Sequence, residues 1–218
     1  MKKNTLGVLL AALMLGAPLP AAAGPTYDYF EFGLASGGYN WLDYCSAGTL
    51  PYYANGYQLA GSKSIGDAWF VDGRYNTLSM KVAGGFDPLG GCDPSVDLDA
   101  TTMNLSAGWH GENFFVKFGY ESYDYFDLPA PTGTGYALDG GYRGSLSDAI
   151  EYQAHLAYAD LGDLGTAIRY GFGFSMLLGD HWGASFNYDY ATYDFDYLAP
   201  FTFSETSTLG TVNLRYQW

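Results

Sequence analysis

Eleven ionisable side chains stand at alternate positions, opposite runs of large apolar residues: Glu31, Asp72, Arg74, Lys117, Glu121, Asp139, Arg143, Glu151, Arg169, Asp189 and Arg215. Carboxylates and cations sharing one face can pair into a polar core, or they can line a path for water and small solutes. Catalysis needs more, a His held against a carboxylate or a Ser where substrate can reach it. Of the three His, His110 and His181 fall in expected turns, which leaves His155 on the charged face as a hydrogen-bonding group. No catalytic residue follows. Three scattered His and two Cys make no transition-metal spacing, so neither a metal nor a cofactor is expected.

The elements that position these charges are strands. From Tyr27 to Trp218 the pattern has period two, with no helical period longer than a turn or two. Over 166–177, Ile168, Tyr170, Phe172, Phe174 and Met176 share one face; Arg169, Gly171, Gly173 and Ser175 share the other. Segments near 101–109, 114–125 and 150–158 and the last residues repeat this. Weaker alternation lies near 28–36, 57–65, 69–80, 136–145 and 182–193.

Three short connections share one spelling, at 65–69, 146–150 and 178–182, and 109–114 is a close variant; Gly, Ser, Asp and Asn there are hairpin chemistry. Between them come longer stretches near 37–56, 81–95, 126–134, 160–165 and 194–204. Short turns alternating with long loops separate the two ends of a β-barrel. The expectation is an all-β, antiparallel, up-and-down transmembrane barrel of ten strands, or eight if 28–36 and 57–65 are not both in it. The short turns face the periplasm and the long loops the exterior.

Trp69, Trp109 and Trp182 flank the short turns and Trp218 ends the chain at the same level, which makes a periplasmic aromatic girdle. A soluble sandwich or lipocalin-like barrel has the same alternation with the greasy face inward. Against it stand the Trp ring, the terminal aromatic, and an opposite face rich in Gly, Ala and Ser.

Composition narrows the partners. The 218 residues hold 23 acidic against 9 basic side chains, a formal charge of −14, so no nucleic acid is expected to bind. Met1-Lys2-Lys3, the apolar run Leu6 to Leu15 and Ala21-Ala22-Ala23 read as a cleaved secretory signal peptide over 1–23, leaving a barrel domain over 24–218. The run is too short for a spanning helix, which needs about 20 residues.

Signal segment, turn repeats, acidic-aromatic loops and the terminal Val212, Leu214, Tyr216 and Trp218 resemble the small outer-membrane β-barrel proteins of Gram-negative bacteria, the OmpA/OmpX-like group. The resemblance implies location in the outer membrane, lipid and lipopolysaccharide as neighbours, and recognition of those four residues by the barrel-assembly machinery as an assembly signal. In that group a Gly often stands where this chain has Asn213, and eight strands are usual.

Cys45 and Cys92 fall in neighbouring long loops of an oxidising compartment, so a Cys45–Cys92 disulfide is expected. Asp93, Asp97 and Asp99, then Glu121, Asp124 and Asp127, then Asp189, Asp194 and Asp196 would place acid near the outer rim, where divalent cations could bridge it to lipid phosphate. The functional expectation is a non-enzymatic barrel with a structural or cell-surface interaction role (envelope integrity, adhesion or lipopolysaccharide contact). The alternative is a narrow channel for small solutes or hydrophobic compounds. Oligomeric state is left open.

Overall fold

Ten strands close into one antiparallel barrel. The computed structural model describes residues 26–43, 48–82, 85–86, 92–93, 96–124, 132–195 and 203–218. The signal segment 1–23 and Cys45 lie outside them, as does the side chain of Cys92, so the expected disulfide falls outside the described residues.

In chain order the strands are β1 (Tyr29–Asp43), β2 (Gly48–Ile65), β3 (Trp69–Val82), β4 (Val96–His110), β5 (Phe114–Asp124), β6 (Gly133–Ser147), β7 (Ile150–Asp160), β8 (Gly165–Leu177), β9 (Trp182–Phe195) and β10 (Phe203–Gln217). Each pairs with its sequence neighbour, and β10 returns to β1 with Tyr29 opposite Gln217 and Glu31 opposite Arg215. Both ends of the barrel sequence thus meet at the short-turn end. In the β2–β3 turn Gly66 takes φ 69°, a left-handed conformation that costs glycine no Cβ clash. A bulge between Ser145 and Ser147 ends the β6–β7 ladder.

The two faces decide the solvent. Large apolar side chains point out and stay uncovered: Leu34 is 73% exposed, Leu105 58% and Val212 61%. The eleven ionisable residues named above point in, while Lys63 and the strand-end Asp99 and Asp194 stay exposed. A soluble barrel has the reverse arrangement, and so wide an apolar outer surface is compatible only with lipid around it. No described helix is long and apolar enough to cross a membrane; this one crosses with strands.

Three expectations about the long loops need correction. The stretch 37–56 is largely strand: Gly37 pairs with Ala54, and the ladder runs on to Asp43 opposite Gly48. Its residues alternate poorly because beyond Tyr39 on β1 and Ala54 on β2 the two strands pair only with each other. The connection near 160–165 is not long either. It is a single 3-10 turn, Gly162–Leu164, whose Leu161 and Leu164 fold into the barrel mouth and are fully buried. Glu121 and Asp189 do not belong to an acidic outer rim, because strand parity turns both into the lumen, where each meets an arginine.

Candidate functional site: the barrel lumen

The lumen is built in layers, and parity assigns residues to it. All eleven ionisable residues singled out above point inward, and all are in ion pairs. Nearest the short turns, Arg143 Nη2 lies 2.9 Å from Glu151 Oε2, and Arg215 Nη1 lies 3.7 Å from Glu31 and 3.6 Å from Glu151. The Arg215 guanidinium also sits 3.9 Å over the Tyr29 ring. One level up, Lys117 Nζ reaches Asp72 at 2.6 Å and Asp139 at 3.7 Å, while Asp189 takes Arg74 on one oxygen at 3.3 Å and His155 on the other at 3.1 Å. Above these, Arg169 makes a two-pronged contact with Glu121, with Nη1 donating to Oε1 at 2.7 Å.

Amides and hydroxyls fill the gaps between charges. Gln58 donates to Asn76, and Asn76 to Thr102; Gln153 donates to Asn187, and Asn213 to Ser185 and Thr211. Small inward residues make the room for this. At Gly173 an added Cβ would meet Asn187 Oδ1 at 2.3 Å and Gln153 Nε2 at 3.0 Å, so the amide bridge runs over bare backbone.

The half of the lumen away from the short turns is mostly apolar, with Glu205 and Ser207 buried in register with Tyr193 and Tyr39, and charge reading alone did not find it. Ala35, Ala54, Ala100, Ala137, Ala159, Ala167 and Ala191 come from seven different strands, and over this ring of methyl groups lie Tyr39, Leu78, Met80, Tyr123, Leu161, Leu164, Tyr193 and Phe195. Tyr123 and Tyr193 have ring centroids 5.3 Å apart, and Phe195 stacks on Tyr193 at 5.7 Å. The signal was present as inward-facing Ala at strand positions. Between apolar cap and ionic floor is a cavity of about 130 Å³, lined by Tyr27, Asp72, Lys117, Asp139, Arg169, Tyr193 and others, with room for several waters.

Other expected residues find their places. Trp69, Trp109, Trp182 and Trp218 all face outward at the short-turn end, Trp69 directly opposite Trp109. Val212 and Leu214 face lipid on β10, and Tyr216 packs edge-on against Trp182 with Trp218 beside it. His110 is the last residue of β4 rather than a turn residue, and its ring stacks on Tyr27. Among the described residues no group of three or more His, Cys, Asp or Glu is arranged to hold a metal.

No family model matches the chain, and no curated protein matches it. Solved structures similar to it include the translocator domain of the autotransporter NalP from Neisseria meningitidis (15% identity, 97% of this chain and 98% of that one, TM-score 0.49). Others are the outer membrane protein OprG from Pseudomonas aeruginosa (11%, 91% and 99%, 0.41) and the CymD monoaromatic hydrocarbon channel (13%, 100% and 64%, 0.39). This chain thus spans under two thirds of the CymD chain. The likeness is one of barrel architecture alone.

Proposed function

We propose that this protein is a closed, non-enzymatic barrel of the Gram-negative outer membrane that acts through its surface, as an envelope-structural or cell-surface interaction protein. The observation that carries this reading is the lumen: among the described residues an ion-paired floor lies beneath a packed layer of alanine, aromatic and aliphatic side chains that fills much of the axis. Ions cross a pore only with water or with groups that replace it, and an apolar constriction of this kind dewets. Small barrels are commonly filled by side chains in this way.

On this reading the working parts are the outer wall and the extended extracellular ladders. Aspartates on that side, such as Asp99, Asp124 and Asp194, would meet lipopolysaccharide through bridging divalent cations. During biogenesis the barrel-assembly machinery would take up Val212, Leu214, Tyr216 and Trp218. One observation favours the alternative, a narrow channel for small solutes or hydrophobic compounds: the cavity beneath the Tyr123–Tyr193 layer is a ready binding chamber.

Single-channel recording of the refolded protein in planar bilayers separates the two. The closed barrel is silent, and Arg169→Ala stays silent because the apolar cap is intact. Steady conductance that changes in Arg169→Ala would move the assignment to a channel lined by the ion pairs.

A further inference from the structure

Residues 26–28, just ahead of β1, do not run down the outside of the barrel; they enter the short-turn mouth. The Thr26 N–H donates to Glu151 Oε1 at 2.8 Å, across the opening and 125 residues away in sequence. At the other end of this short segment, Asp28 accepts the Ser64 N–H at 3.0 Å and lies 2.9 Å from Lys63 Nζ. Between these two ties Tyr27 turns inward and is 5% exposed.

The Tyr27 ring fills a cage made by four strands. It packs 4.6 Å from Phe70 on β3, stacks on His110 of β4 at 4.3 Å, and lies under the Arg143 guanidinium of β6 at 4.9 Å. Phe115 of β5 completes the cluster against Phe70. Tyr27 is itself part of the wall of the internal cavity, beside Phe70, Phe115 and Arg143 at its short-turn end.

This segment is held differently from the strands. Thr26, Tyr27 and Asp28 belong to no strand, and their anchorage is two short ties and one ring, whereas every barrel strand is fixed by ladders on both sides. Segments with few backbone bonds open at far lower free energy than the sheet they rest on. We propose that Thr26–Asp28 is a displaceable plug: Tyr27 leaves its cage and connects the ionic chamber to the periplasm while the barrel wall stays intact. This goes beyond the closed-barrel reading, since it concerns only the short-turn end and leaves the apolar cap untouched.

Ser62 supplies a reporter. It lines the chamber near its floor, and its hydroxyl has no hydrogen-bond partner among the described residues, so Ser62→Cys breaks no bond. In a Cys45→Ser, Cys92→Ser background, the refolded protein in detergent is labelled with a small cationic methanethiosulfonate. Tyr27→Ala is expected to speed labelling at least about tenfold, as loss of the main anchor of a locally opening segment should. Tyr27→Phe keeps the ring and labels like the parent, and Leu164→Ala, which thins the opposite end, also labels like the parent. Thr26→Pro deletes the N–H that binds Glu151 without touching any strand, and gives a smaller acceleration. Unchanged rates in both Tyr27→Ala and Thr26→Pro, with heat-modifiable gel mobility showing folded barrels, overturn the proposal, as does acceleration in Leu164→Ala alone. Conductance across the whole barrel reads the apolar cap instead, so failure of the plug and failure of the closed-barrel reading are told apart.

Discussion

His155 and Asp189 meet across a residue without a side chain: His155 Nε2 lies 3.1 Å from Asp189 Oδ1, and Gly171 stands in register with both. An added Cβ at Gly171 would come within 2.1 Å of that same carboxylate oxygen and 2.9 Å of the imidazole. Gly171→Ala is therefore expected to push the pair apart and to cost about 1–3 kcal/mol, the usual range for overpacking. Gly210→Ala is the control, since the nearest atom to its Cβ is 3.8 Å away. Guanidinium unfolding in lipid vesicles should separate the two variants clearly.

The Arg169–Glu121 pair offers a second test. Glu121 is 1% exposed, so Arg169→Ala leaves a carboxylate buried without its cation, a loss expected to cost about 3–5 kcal/mol. Replacing both partners together, as Arg169→Met with Glu121→Leu, should recover most of that loss, because desolvation of the charges disappears with them. A double-mutant cycle on unfolding midpoints reads the coupling; additive losses would mean that the pair is not coupled in the membrane.

Lipid contact predicts a dependence on depth. Phe172 faces outward in mid-strand, whereas Leu178 faces outward beside the last short turn. Phe172→Arg is expected to cost about 2–4 kcal/mol and Leu178→Arg about 0–1 kcal/mol. Equal small effects at both positions would return the chain to a water-filled surrounding.

Acid should loosen the N-terminal tie before it touches the wall. Burial alone would raise the Asp28 carboxyl, but the Ser64 N–H and the Lys63 ammonium outweigh it and hold it below the usual carboxylate range. A group depressed in the folded state contributes its stability above its unfolded value, and that contribution is lost as pH falls through the folded one. The tie should thus loosen below about pH 4; because the thiolate is the reacting form of the reporter, the comparison is made at neutral pH, where Asp28→Asn, with the carboxylate charge removed, should label the Ser62→Cys protein faster than the parent.

Much of this could be read from residue order. The alternation of Phe30, Phe32 and Leu34 against Glu31 and Gly33 assigns both faces of β1, and the same reading placed all eleven ionisable residues in the lumen. Which cation meets which acid was not legible. Lys117 and Asp72 are 45 residues apart on strands that are not neighbours, so their contact depends on barrel closure and stagger. The apolar cap was hidden because inward alanines look like mere space. Tyr27 was hidden for another reason: it opens the period-two pattern but lies outside every strand, and its burial comes from a cage that four distant strands assemble.

That cage sets an order of events. Phe70, His110, Phe115 and Arg143 have no common neighbourhood until β3 through β6 are in register, and Glu151 joins them only with β7. The first residues of the barrel sequence therefore have nowhere to dock while the first strand is being laid down. Contacts that bridge so much chain form late. The seating of Tyr27 is a timestamp of β3 through β7 coming into register, and a fluorophore quenched in that cage would report that step separately from the growth of strand content.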